Sequence, residues 1–251
     1  MKQTVVVKNV EFGAGRPKIC LPLVAKDEDA LRAQLTEVAR CAPDLVEFRA
    51  DWYEAIEDTT ARRAALAQIR AVLPDTPLLF TFRTKQEGGE RPISEEAYLA
   101  LCLEVLAEDD IDLIDVEFFL GEAVVSSIVD AAHEKGVTVI VSSHDFAKTP
   151  SRQVLIDRFE AMEQTNADLL KLAVMPTCPE DVLTLLSVTA ERNEKGTRPL
   201  ISMSMGRLGA ISRLCGQVFG SCVTFGAAGK SSAPGQLQAE ELRMILDILQ
   251  K

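Results

Sequence analysis

Eight short runs rich in β-branched and aromatic residues recur along this chain, and a segment with helical period follows each of them. The runs are ICLPLV (19–24), DLVEFRA (44–50), PLLFTFR (77–83), LIDVEFF (113–119), VTVIVSSH (137–144), LLKLAVM (169–175), PLISMSM (199–205) and CVTFGA (222–227). Parallel strands need a long crossover, usually a helix, so this rhythm predicts consecutive βα units. Eight units in 251 residues predict a (β/α)8 barrel; an open doubly wound sheet usually needs fewer. Helix punctuation agrees. Ser94 stands as N-cap of SEEAYLALCLEVLAEDD (94–110), and Pro179 lies just inside the start of CPEDVLTLLSVTAERNE (178–194). Gly136 stops a helix ahead of the run at 137–144. The leading TVVVKNVEFGAGRP falls outside the rhythm and predicts a β-hairpin with a Gly-rich turn over 1–16, closing the barrel floor. With no repeat, low-complexity tract or linker, residues 1–251 are expected to form one catalytic domain.

Side chains alternate along a strand, so each run has a helix-facing set and a barrel-facing set. In 44–51, Val46, Phe48 and Ala50 form the apolar set, opposite Glu47, Arg49 and Asp51. Phe80 and Phe82 oppose Thr81 and Arg83, and Ile114, Val116 and Phe118 oppose Asp115 and Glu117. Val137, Val139 and Val141 oppose Thr138, Ile140, Ser142 and His144, while Leu170, Leu172 and Val174 oppose Lys171 and Ala173. Five strands therefore point polar groups inward: Glu47 and Arg49, Arg83, Glu117, His144 and Lys171. A purely structural interior would hold Val, Ile and Leu. Asp115 and Glu117 read equally well as buried ion-pair members.

Lys171 admits two readings. It is a structural lysine paired with an inward carboxylate such as Glu117, or a Schiff-base nucleophile. A desolvated lysine with cationic neighbours keeps some free amine near neutral pH, and Arg49 and Arg83 would supply that surrounding. Only two histidines occur. His133 lies near a helix end, where the dipole favours it. His144 closes a strand at the barrel end where chemistry takes place, and its strand immediately precedes that of Lys171. A histidine there is a natural proton shuttle.

The net charge of −11 and the absence of a basic stripe argue against nucleic acid, and leave room for arginines around a small anion. None of the six cysteines forms a CxxC pair, which predicts buried free thiols in a reducing cytoplasm. No run suits a signal peptide or a membrane span, so a soluble cytoplasmic protein is expected.

The ordered set EFRAD, FTFRTKQEGGE, SSHDF, LLKLAVMP, ISMSMG, ISRLCGQVFGS and SAPGQ resembles type I 3-dehydroquinate dehydratase, the Schiff-base enzyme of the shikimate pathway. The resemblance runs from about residue 17 to the C-terminus. It implies a (β/α)8 barrel, a homodimer, no metal or organic cofactor, and a small-molecule substrate, 3-dehydroquinate. By resemblance Lys171 is the imine-forming lysine, His144 the general acid/base, and Glu87 the carboxylate that orients it. Glu47, Arg49, Arg83, Arg213, Ser232 and Gln236 match substrate-binding positions, with Arg213 suited to the substrate carboxylate. Ser232 and Gln236 fall in GKSSAPGQL, whose composition suits a lid. Pro22 stands where the family can carry a serine. Three other readings stay open: another Schiff-base barrel such as a class I aldolase, a metal-dependent barrel built on Glu47, Asp51 and Glu117, and a sensor that binds a cyclic acid without turnover.

Overall fold

The computed structural model describes residues 3–229 and 235–250, and the architecture is a (β/α)8 barrel. A two-stranded hairpin, β1 (Val5–Val7) and β2 (Val10–Phe12), precedes it. The barrel strands are β3 (Lys18–Leu23), β4 (Leu45–Arg49), β5 (Leu78–Thr81), β6 (Leu113–Glu117), β7 (Thr138–Asp145), β8 (Leu169–Val174), β9 (Leu200–Ser204) and β10 (Val223–Phe225). The crossovers are α1 (Glu28–Arg40), α2 (Thr59–Val72), α3 (Glu95–Glu108), α4 (Glu122–Glu134), α5 (Arg152–Glu163), α6 (Pro179–Lys195), the short α7 (Gly216–Phe219) and α8 (Ala239–Leu249). All seven barrel ladders are parallel and join strands in chain order, with β10 returning to β3. Between β9 and β10 the ring closes through one bridge, Leu200 to Ser221, where the Cys222 N–H donates to the Leu200 carbonyl at 2.7 Å. Among the described residues no helix is long and apolar enough to cross a membrane.

Local chemistry accounts for the element boundaries. Ser94 accepts from the Ala97 N–H at the start of α3. Asp181 accepts from the backbone of Thr177 and Cys178 at the start of α6, behind Pro179 at its first position. Gly136, at φ +70, turns the chain out of α4 into β7. Pro22 is tolerated in a central strand for a register reason. The Cys20 carbonyl accepts from Gly226, so the nitrogen of Pro22, two residues on, faces β10 beyond its last ladder pair, Phe225 with Cys20.

Three sequence expectations need correction. The hairpin turn is Lys8–Asn9, not the Gly-rich segment. Val7 pairs with Val10 across it, Lys8 takes φ +52, and the glycines follow β2. Arg83 lies two residues past β5, because the N–H groups of Arg83 and Thr84 donate to Asp51 and Glu117 instead of a ladder. All six cysteines are free, but only Cys20, Cys102 and Cys222 are buried, and Cys178 is exposed.

The two faces of each strand lead to two cores. Val46, Phe48, Phe80, Ile114, Val116, Val139, Val141, Leu170 and Leu172 pack outward against the helices. Leu45, Leu79, Leu113, Ile140, Leu169 and Ile201 point inward and share one apolar cluster with Val7 and Phe12 of the hairpin. Phe12 is fully buried there. Phe12→Ala should destabilise the protein by about 3–5 kcal/mol in urea unfolding, the range for a buried Phe. A loss below roughly 0.5 kcal/mol, as at exposed sites, would mean the hairpin is peripheral to the barrel core.

Candidate active site

Above the apolar floor the inward positions turn polar, and the strand register stacks them. Glu47 and Thr81, Asp115 and Ser142, and Lys171 occupy the middle of the barrel. Arg49, Arg83, Glu117 and His144 lie toward the C-terminal rim. A cavity of about 170 Å³ opens here, lined by Glu47, Arg49, Arg83, Glu87, His144, Lys171, Arg213 and Gln236 among others. The barrel thus gathers every site residue named from the sequence except Ser232, which lies outside the described residues.

Lys171 is 4% exposed. Its Nζ sits 3.0 Å from Asp115 Oδ2, 3.7 Å from Glu47 Oε1 and 4.5 Å from the centre of the Phe225 ring. This corrects two expectations. The groups touching the ammonium are carboxylates rather than arginines, and its ion-pair partner is Asp115 rather than Glu117. Glu117 is already engaged: Arg83 Nη1 donates to it at 2.9 Å, and the backbone and hydroxyl of Thr84 at 2.8 and 2.6 Å. The other nitrogen of the same fork, Arg83 Nη2, donates to Asp115 at 2.7 Å, and Ser142 Oγ does so at 2.6 Å. Burial alone would raise the pKa of Asp115, but the charges of Arg83 and Lys171 hold it well below the usual carboxylate range.

His144 faces the lysine from β7. Its Nδ1 lies 2.8 Å from Glu87 Oε2, and its backbone N–H donates to the same oxygen at 3.0 Å. Glu87 holds two points of one residue, which fixes the ring and leaves Nε2 toward the cavity. Burial first, then the charges of Arg83 and Lys171, push the His144 pKa well below its ordinary value, so the imidazole is neutral at neutral pH and able to accept a proton. Burial raises Glu87 to about 8 against the opposing charge of Arg83. Arg49 is clamped by both oxygens of Asp51 at 2.8 Å. Burial alone would lower the Arg49 pKa; the Asp51 pair more than reverses this. Arg213, at the end of a short turn after β9, lies against the Phe225 carbonyl, and burial lowers it to about 10.

The inward period did not single out the apolar wall made by Met203, Met205, Phe225 and Phe146. Met203 and Met205 were legible in the alternation of ISMSM. Phe146 follows the strand-end His144–Asp145 pair and carries no periodic signal. The metal-site alternative fails on geometry: Asp51, Glu117 and Glu47 are each bound to a different neighbour, respectively Arg49, Arg83 and Thr81. Among the described residues no three His, Cys, Asp or Glu side chains are grouped to hold a metal. His133 stays outside the site, 3.1 Å from Asp168.

A buried carboxyl with a folded pKa near 8 binds more protons than it does unfolded, where its value is about 4.5. Its contribution to stability therefore falls as pH rises through that window and levels off above it. Glu87→Gln lacks this loss. The melting temperature of Glu87→Gln minus that of the parent should be more positive at pH 9 than at pH 4.5. An equal difference at both pH values would show that Glu87 titrates normally.

The family model described as "Type I 3-dehydroquinase" matches residues 19–251. A 3-dehydroquinate dehydratase of Listeria innocua is 49% identical over 247 residues, covering 98% of each chain. That of Klebsiella pneumoniae strain 342 is 48% identical over 250 residues, covering 99% of this chain and 100% of its own. Among solved structures, a type I 3-dehydroquinate dehydratase from Clostridium difficile with covalently modified comenic acid superposes with a TM-score of 0.96 at 44% identity, covering 100% of this chain and 99% of its own. With a matching family model across the barrel, and relatives near half identity over nearly the whole length, the chain belongs to the type I 3-dehydroquinase family.

Proposed function

We propose that the protein dehydrates 3-dehydroquinate to 3-dehydroshikimate through an imine on Lys171. The observation that carries this reading is the buried Lys171 amine sharing one small cavity with a neutral, Glu87-held His144. The chemistry follows from that arrangement. The free-amine form of Lys171 adds to the ring ketone and expels its oxygen as water, leaving a protonated imine. That imine draws electrons more strongly than the ketone and acidifies the neighbouring C–H. His144 Nε2 takes this proton, giving an enamine. The enamine then expels the hydroxyl two carbons away, and the imidazolium returns the proton to it. Water hydrolyses the imine, releases product and restores the amine. One water is consumed, two are released, and the net change is loss of one.

The remaining lining has matching work. Asp115 and Glu47 are within reach of the ammonium and later of the iminium, and offset a cation that forms in a desolvated site. Arg213 suits the substrate carboxylate, while Glu47, Arg49, Arg83 and Gln236 face the ring hydroxyls. Ser232 belongs to the same binding set by family motif. The chain acts as one catalytic domain, with its hairpin as the barrel floor. We further propose a cytoplasmic homodimer; exposed Leu208, Ile211 and Val218 near β9 offer apolar surface for a second copy. Sedimentation of the purified protein reads that state directly.

Lys171→Ala should leave a folded protein with no turnover, and sodium borohydride added with 3-dehydroquinate should label the parent on the Lys171 peptide but not the variant. Normal turnover in folded Lys171→Ala would end the imine assignment. His144→Ala should lower kcat by roughly 10²–10⁴, the usual worth of general acid–base help, while borohydride still traps the imine. An unchanged rate would remove His144 from the mechanism.

A further inference from the structure

Asp51 is buried at 1% exposure in the short turn Ala50–Trp52 that follows β4, and no step above uses it. Its two oxygens meet four donors from three residues in two segments. Oδ1 accepts from Arg49 Nε at 2.8 Å and from the Arg83 N–H at 3.4 Å. Oδ2 accepts from Arg49 Nη2 at 2.8 Å and from the Glu90 N–H at 3.0 Å. One carboxylate thus fixes a cavity arginine and ties the loop after β5 back to β4.

That loop carries Glu87. It is a tight structure: Glu87 and Gly89 both donate their N–H to the Thr84 carbonyl, at 3.1 and 2.8 Å. A Cβ on Gly89 would stand 1.8 Å from the Arg83 carbonyl oxygen, so the loop lies flat against the chain it leaves. The Glu90 N–H to Asp51 contact closes the far side of this loop. Glu87 sits between the two anchor points, and its Oε2 sets the ring of His144.

We propose that Asp51 is a positioning residue for both halves of the reaction. Through Arg49 it sets the substrate-binding wall, and through the loop it sets the Glu87–His144 pair. The proposal rests on the imine-dehydratase reading above. A carboxylate is needed because all four partners are donors. An asparagine there presents an NH₂ group in place of one oxygen, donor against donor, and loses one Arg49 bond together with the N–H of either Arg83 or Glu90.

The test is Asp51→Asn, with steady-state kinetics on 3-dehydroquinate, borohydride trapping and thermal unfolding. Losing the carboxylate charge that both sides share, and two of its four hydrogen bonds, should raise KM and lower kcat, each by about tenfold or more. At saturating substrate, Lys171 should still be trapped as the reduced imine. A purely structural carboxylate would lower the melting temperature and leave KM and kcat at parent values well below it; that result overturns the proposal. A change in KM alone overturns its loop half. If Asp51→Asn does not fold, amide hydrogen exchange of the unaltered protein decides. The Glu90 amide should exchange at least about a hundredfold more slowly than a free peptide, as a stably hydrogen-bonded N–H does, and unprotected exchange overturns the anchor. Parent protein that neither dehydrates 3-dehydroquinate nor is trapped defeats the dehydratase reading instead, and the Glu90 exchange still reports on the anchor.

Discussion

One carboxylate answering two cations holds the polar interior together. Asp115 receives Arg83 on one oxygen and Lys171 on the other, and both cations are buried. Moving isolated charges into a protein interior costs several kcal/mol each, so they must be set against one another. The barrel does this as an alternating chain: Lys171, Asp115, Arg83 and Glu117 follow in contact, and Thr84 closes the end with its backbone and hydroxyl. Arg49 and Asp51 form a second, shorter unit beside it. Deleting one member leaves its neighbour buried and uncompensated, which typically destabilises by about 3–5 kcal/mol relative to the intact pair.

Much of this is legible in the sequence. Period-two alternation is rigid, so the inward set on each strand could be read from Val46, Phe48 and Ala50 opposite Glu47, Arg49 and Asp51. The strand positions hold to within a residue or two, because helix caps such as Ser94 and Pro179 act over a single turn. Which inward charge meets which was not legible. Contacts across the ring depend on the stagger between strands, and that is how Lys171 finds Asp115 rather than Glu117. Glu87 carries no periodic signal, since it lies in a loop shaped by Thr84, Gly88 and Gly89. Only the family motif pointed to it. The cationic surrounding expected for Lys171 also failed for a spatial reason: each arginine of that face already bonds its own carboxylate.

The site is built against the comfort of the fold. A neutral His144 and a carboxyl near 8 at Glu87 both reflect burial of groups that water would ionise differently. Stability and reactivity pull apart at such positions. The floor compensates: Leu45, Leu79, Leu113, Ile140, Leu169, Ile201 and Phe12 give the lower half a buried apolar core. The upper half can then carry charges without the ring losing its shape. Division along the strand axis, apolar below and ionic above, lets one short strand serve both purposes.

The closure between β9 and β10 adds a mechanical consequence. Seven ladders hold the hoop elsewhere, while one backbone bridge from Leu200 to Ser221, with the Ser202 N–H donating to Ser221 Oγ at 3.0 Å, completes it. A hoop under strain gives at its thinnest joint. Arg213 and Phe225 hang from one side of that joint, tied to each other through Thr224 and the Phe225 carbonyl. Lys171 and His144 stay on the other side, within the continuous ladders. Any yielding at this seam would shift the wall that carries Arg213 and Phe225 relative to the wall that bears the amine, with no hinge between domains.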